Sequence, residues 1–152
     1  MTPTSAPAGR WQHSTVWTGA QMIVWGGMDS ANALQSGGIY TPPSTRDRLV
    51  ADSWKASELN NAPAKRRLHS AVWAGTNMVV WGGYDSTTLN TGGIFDPALG
   101  INGTWVSTTT ATSAPTLRYN HSAVWAGDRM IIWGGYNVVS VSTLKTGGYI
   151  KP

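Results

Sequence analysis

Short apolar runs recur along this chain, and each closes on a pair of glycines. Met-Ile-Val-Trp at 22–25, Met-Val-Val-Trp at 78–81 and Met-Ile-Ile-Trp at 130–133 all lead into Gly-Gly. Ahead of each run, a stretch such as 69–73 alternates polar and apolar as a strand does. His13, His69 and His121 each lie twelve residues before the tryptophan of Trp-Gly-Gly. A constant length through a Gly-containing turn predicts a hairpin in fixed register, with a first strand after the histidine and a second ending at the tryptophan. The paired glycines, 26–27, 82–83 and 134–135, end the second strand where a missing Cβ permits positive φ or close backbone approach.

The pattern continues in register. A stretch of variable length follows each pair (28–36, 84–91, 136–146), and variable length between fixed blocks predicts an exposed loop. A third strand then begins at a second Gly-Gly (37–38, 92–93, 147–148) and stops at Pro42 or Pro97. A fourth is centred on Trp54 or Trp105, and an Ala-Pro-x-x-Arg linker (62–66, 114–118) opens the next unit. Pro42, Pro97 and Pro152 are spaced 55 residues apart, and a period near fifty predicts an array or propeller. Each unit is a four-stranded antiparallel meander that cannot bury both faces of its sheet alone, but can when stacked on its neighbours. The expectation is one repeat domain over 1–152, with units at about 5–60, 61–112 and 113–152. The third unit reaches Pro152 just after its third strand and lacks the outer one, which residues 1–5 do not obviously supply.

Composition agrees with an all-β chain. Only 12% of residues are charged, while Gly (18) and Trp (9) are abundant. The net charge of +4 reflects few acids, because the densest basic cluster is Lys65-Arg66-Arg67 and no basic stripe for nucleic acid is present. Without cysteine there are no disulfides and no thiolate metal sites. No apolar run approaches a membrane span, and the first residues show no charged segment followed by an apolar one.

The repeated phrase resembles the kelch repeat. Arg-x-x-His precedes the first strand (Arg10 to His13, Arg66 to His69, Arg118 to His121), Gly-Gly follows the second, Tyr40 or Phe95 lies in the third, and Trp54 or Trp105 in the fourth. The resemblance covers almost the whole chain. It implies kelch-like β-propeller blades, three per chain, with the first strand nearest the central axis. Two features depart from the pattern: the proline lies three residues before the arginine, and a tryptophan ends the first strand. Three blades make half of a six-bladed ring and leave two apolar faces bare. A homodimer, in which the first blade of each chain meets the third of the other, would close the ring.

The candidate residues follow from the repeat. His13, His69 and His121, with Trp25, Trp81, Trp133 and the glycines Gly26, Gly27, Gly82, Gly83, Gly134 and Gly135, recur in every unit, which points to structural roles. Neither a metal site nor a cofactor site is expected. Arg10, Arg66 and Arg118 occupy the position that the resemblance places at one rim of the central channel. There a guanidinium could bind a carboxylate or phosphate, or else hydrogen-bond loop carbonyls between blades. Asp29, Tyr84, Asp85, Tyr136 and Asn137, with Met28, open the loops after the second strand and suit recognition of a protein or small polar ligand, or simple turn chemistry.

Residues that occur only once would mark an asymmetric active site: Trp11, Asp47, Arg48, Glu58, Tyr119 and Asp128. They form no recognisable nucleophile–base pair or carboxylate dyad. The leading expectation is therefore a non-catalytic propeller scaffold that binds through its rim loops. Kelch enzymes of the galactose-oxidase type need a Tyr–Cys crosslink, which this chain cannot make. A carbohydrate-active or mutarotase-like enzyme is the alternative, with a single glutamate available for acid–base work. A designed or recently amplified propeller without a ligand is a third, because 69–75 and 121–127 are identical, as are 81–84 and 133–136.

Overall fold

The structure, a computed structural model, describes residues 5–43, 51–107 and 114–152. Among them are strands and no helix. The first sheet is a meander of β1 (Ser14–Trp17), β2 (Met22–Trp25), β3 (Gly37–Thr41) and β4 (Ser53–Ala56). The second contains β5 (Ser70–Trp73), β6 (Met78–Trp81), β9 (Gly92–Asp96) and β10 (Thr104–Ser107), and between β6 and β9 a minor hairpin pairs β7 (Tyr84–Asp85) with β8 (Thr87–Thr88). The third contains β11 (Ser122–Trp125), β12 (Met130–Trp133) and β15 (Gly147–Ile150), and its minor hairpin pairs β13 (Tyr136–Asn137) with β14 (Ser142–Thr143). All pairings are antiparallel.

The predicted hairpins have the predicted register. Ser14 pairs Trp25, Ser70 pairs Trp81 and Ser122 pairs Trp133. The first strands of neighbouring sheets lie nearest one another, β1 by β5 and β5 by β11, so the sheets fan outward from them.

Two cores fill the spaces between sheets. In the first, Val16, Ile23, Trp25 and Ile39 pack on Met78, Val80, Phe95 and Trp105. The Trp105 ring lies 5.0 Å from both Trp25 and Phe95, a spacing typical of tilted aromatic pairs. In the second, Val72, Val79 and Trp81 pack on Met130, Ile132 and Ile150. The second sheet is thus covered on both faces, as a meander with alternating apolar residues on each side requires. The third sheet repeats the pattern, yet Val124, Ile131, Trp133 and Tyr149, the counterparts of Val16, Ile23, Trp25 and Ile39, are 59%, 42%, 60% and 38% exposed.

In the first two sheets the proline of the lead-in segment meets the third strand. A Cβ on Gly38 would lie 3.0 Å from Pro7, and one on Gly93 would lie 2.4 Å from Pro63. The displaced proline of the repeat therefore has a packing role of its own, seated on a bare glycine.

Because Trp81 is fully enclosed, Trp81→Ala is expected to cost about 3–5 kcal/mol of folding free energy. Urea denaturation of the two proteins side by side measures the difference.

Candidate functional site: the lead-in loops and the rim above them

Each repeat arginine is held within its own sheet. Arg66 donates from Nε to the Ala64 carbonyl (2.9 Å) and from Nη1 to the carbonyls of Gly82 (2.9 Å) and Thr91 (2.6 Å), while Nη2 donates to Thr91 Oγ1 (3.1 Å). Arg10 bonds Ala8, Gly26 and Ser36 in the same way, and Arg118 bonds Thr116, Gly134 and Thr146. The guanidinium ties together the lead-in segment, the end of the second strand and the start of the third. Arg66 and Arg118 are buried. Desolvation pulls Arg66 down to about 10 and lowers Arg10 and Arg118, leaving all three charged at neutral pH. The carbonyls they bind belong to the same sheet, whereas the sequence offered a carboxylate or phosphate ligand or else carbonyls between blades.

It is the backbone of the same arginines that crosses between sheets. Gly27 N–H donates to the Arg66 carbonyl and Gly83 N–H to the Arg118 carbonyl, both at 2.9 Å. The Arg66 and Arg118 N–H groups donate to Leu34 and Leu89 carbonyls at 3.1 Å. Two residues further on, Leu68 N–H donates to Gln12 and Asn120 N–H to Leu68. Gln12, Leu68 and Asn120 all adopt left-handed φ of 52–56°, which turns the chain into its first strand.

The histidines complete each junction. His69 Nε2 and Ser14 Oγ share a hydrogen bond of 2.7 Å, and His121 Nε2 and Ser70 Oγ one of 2.6 Å. The His69 ring stands edge-on to Trp25 at 5.4 Å, and His121 to Trp81 at 5.2 Å. A Cβ on Gly26 or Gly82 would come within 2.6 Å of the imidazole, and both glycines have left-handed φ. No other residue fits there. Desolvation, aided by the neighbouring arginine, holds His69 down at about 3 and His121 at about 4. His13 is exposed.

Above these junctions runs a rim of larger side chains. Trp11, Arg67 and Tyr119, which directly follow the repeat arginines, each form a two-way backbone bridge, to Met28, Tyr84 and Tyr136 respectively. The side chains of Arg67 and Tyr119 reach across to the preceding sheet. Arg67 Nη1 touches Met28 Sδ at 2.9 Å, and its guanidinium lies 5.2 Å from the Tyr84 ring centre. Tyr119 stands edge-on to Tyr84 at 5.5 Å and to Tyr136 at 5.7 Å. A cleft of about 300 Å3 opens beside this row, lined by Met28, Asn32, Lys65, Arg67, Tyr84 and Asp85. Lys65 and Asp85 face each other across 3.7 Å.

Of the loop residues read from the sequence, Tyr84, Asp85 and Tyr136 come together with Arg67 and Tyr119 on this rim. Asp29 Oδ1 accepts from the Ala31 and Asn32 N–H groups, which holds its carboxyl below the usual range. Asn137 is buried, and its Oδ1 accepts from Val139 N–H. Glu58 Oε1 accepts from the Leu59 and Asn60 N–H groups, and its carbonyl accepts from Trp105 Nε1. Asp128 pairs with Arg129 and Lys151 in the β11–β12 turn region. Asp47 and Arg48 lie outside the described residues. The sequence reading missed Lys65 and Arg67 as rim residues. The signal available was the changing large side chain after each constant arginine.

The low values at His69 and His121 make stability depend on pH. Both imidazoles are neutral in the fold, whereas an unfolded histidine takes up a proton near 6.5. Stability is therefore fully present above about 6.5 and declines as pH falls toward 4, by about 1.4 kcal/mol per pH unit for each histidine. Thermal melts at pH 7, 6 and 5 should show a falling Tm, and His69→Gln should flatten the slope by roughly half.

A profile of the KLHDC2/KLHL20/DRC7 Kelch-repeats domain matches residues 48–146. The chain is also 29% identical over 137 residues to the leucine-zipper-like transcriptional regulator 1 homolog of Drosophila melanogaster, an alignment that takes in 86% of this chain and 13% of that protein. With the repeated Arg-x-x-His junctions and the stacked antiparallel meanders, the match over more than half its length places this chain in the kelch-repeat family.

Proposed function

We propose that this chain is a non-catalytic kelch scaffold that binds a protein segment at its rim, within a six-bladed ring closed by a second copy. The carrying observation is the division of labour in the lead-in loops. The constant residues, arginine and histidine, are taken up in holding sheets together. The changing residues beside them, Trp11, Arg67 and Tyr119, stand over the junctions with Tyr84 and Tyr136.

A row of aromatic faces with one guanidinium, next to a cleft bearing Lys65 and Asp85, offers π, cationic and anionic contacts over a short span. Tyrosine and arginine are the residues that most often dominate protein interfaces. The arginines Arg10, Arg66 and Arg118 support this rim from below. Closure by a second copy is supported by the bare apolar face of the third sheet, which carries the residues that face the next sheet elsewhere.

Two measurements test these readings separately. Light scattering behind a sizing column, over a concentration series, should give a species of twice 16.2 kDa; a monomer throughout would refute the ring. Peptides selected from a displayed library against the protein should lose roughly tenfold or more in affinity on Tyr84→Ala or Arg67→Ala. Binders indifferent to both changes would move the site off the rim.

A further inference from the structure

The two junctions between sheets are built from the same four connections. Each joins an imidazole to a serine, a Gly-Gly amide to an arginine carbonyl, an arginine amide to a leucine carbonyl, and one left-handed residue to the next. Every sheet therefore presents two different half-junctions. The second sheet uses both of its halves.

The first and third sheets use only one each, and their unused halves are complementary. On the first sheet, the Arg10 N–H and carbonyl, the Gln12 N–H and the His13 ring have no partner among the described residues. On the third sheet, the same is true of the Leu144 and Asn120 carbonyls, the Gly135 N–H and Ser122 Oγ. Space is available as well. A Cβ on Gly134 would meet nothing nearer than 3.7 Å, where its counterparts Gly26 and Gly82 are pressed by an imidazole. Beside it Trp133 is 60% exposed, and on the first sheet Trp17 is 53% exposed, although its counterpart Trp73 packs into a core.

The rim breaks off at the same places. Each lead-in residue leans onto the loop of the preceding sheet, Arg67 onto Met28 and Tyr119 onto Tyr84. Among the described residues no sheet precedes Trp11, which is 54% exposed, and none follows Tyr136.

We infer that a second copy of this chain completes the rim site: Trp11 of one copy seats against Tyr136 of the other, above a His13–Ser122 hydrogen bond between the copies. This rests on the two-chain reading. An internal cleft of about 250 Å3 is lined by Arg67, Leu68, Tyr84, Tyr119 and Val138. Its equivalent at each chain boundary draws Tyr119, Asn120 and Tyr136 from one copy and Trp11 and Ser30 from the other. That boundary cleft has three aromatic rings and no guanidinium, so it differs in chemistry from the internal ones and exists only in the assembly.

The chain contains no cysteine, so introduced pairs report unambiguously. His13→Cys combined with Ser122→Cys, oxidised in dilute solution, should give a covalent dimer on a non-reducing gel, at least tenfold above a His13→Cys/Gly127→Cys pair. The Ser14→Cys/His69→Cys pair calibrates the reaction within one chain. Ser122→Arg, on a side chain exposed in the single chain, should turn the dimer into a folded monomer. A wild-type dimer that neither traps at 13/122 nor responds to Ser122→Arg overturns this seam while leaving the two-chain ring standing. A wild-type monomer at all concentrations overturns both.

Discussion

A guanidinium in each repeat, buried in the second and third, fixes where everything else can go. Arg66 grips the end of β6, the residue before β9 and its own lead-in segment with one planar group. Five donors in a rigid fork suit this task, and lysine, with a single ammonium, would not span the same three carbonyls. The charge is accommodated because its partners are backbone dipoles that themselves need donors. Once the arginine is placed, its own N–H and carbonyl point into the adjoining sheet, and the histidine three residues on is delivered to the neighbour's serine. Position within a sheet and contact between sheets are thus set by a single side chain.

The junction chemistry also explains why the cores can be so aromatic. Trp25 and Trp81 reach across to the next sheet and meet an imidazole edge-on over a glycine. Large rings at a fixed spacing bury much area with few rotatable bonds, which suits a fold whose main strands are only four or five residues long. Backbone bonds along the lead-in loops hold that spacing, so the rings pack against a defined wall.

Much of this architecture could be read from the sequence. The twelve-residue spacing fixed three hairpins in register, and the second Gly-Gly marked the third strand of every sheet. The loops 84–91 and 136–146 were legible as exposed and variable, but not their minor hairpins, whose two-residue strands are too short to show a period. The role of the arginines was ambiguous for a physical reason: their partners are carbonyls, which carry no side-chain signature. A trace existed in Ser36, Thr91 and Thr146, the hydroxyl residues before each second Gly-Gly, which accept from the same guanidiniums. The rim was half legible. Tyr84 and Tyr136 stood out, while Arg67 was hidden in a basic run whose neighbour Arg66 points inward.

The junctions have a direction. Each sheet offers a head to one neighbour and a different tail to the other, and the two halves are encoded within the same fifty-odd residues. A copied repeat inserted between any two others would arrive with both halves and satisfy both neighbours without a single compensating change. Growth by duplication is then chemically neutral at the joints, and the identical stretches of the second and third repeats, 69–75 with 121–127 and 81–84 with 133–136, are what such growth leaves behind. What an added repeat alters is curvature, because the number of blades decides whether the fan meets itself. A head-to-tail array that misses closure continues as an open helix. For such head-to-tail repeats, repeat number, and not residue identity, is the variable that separates a closed ring from an open array.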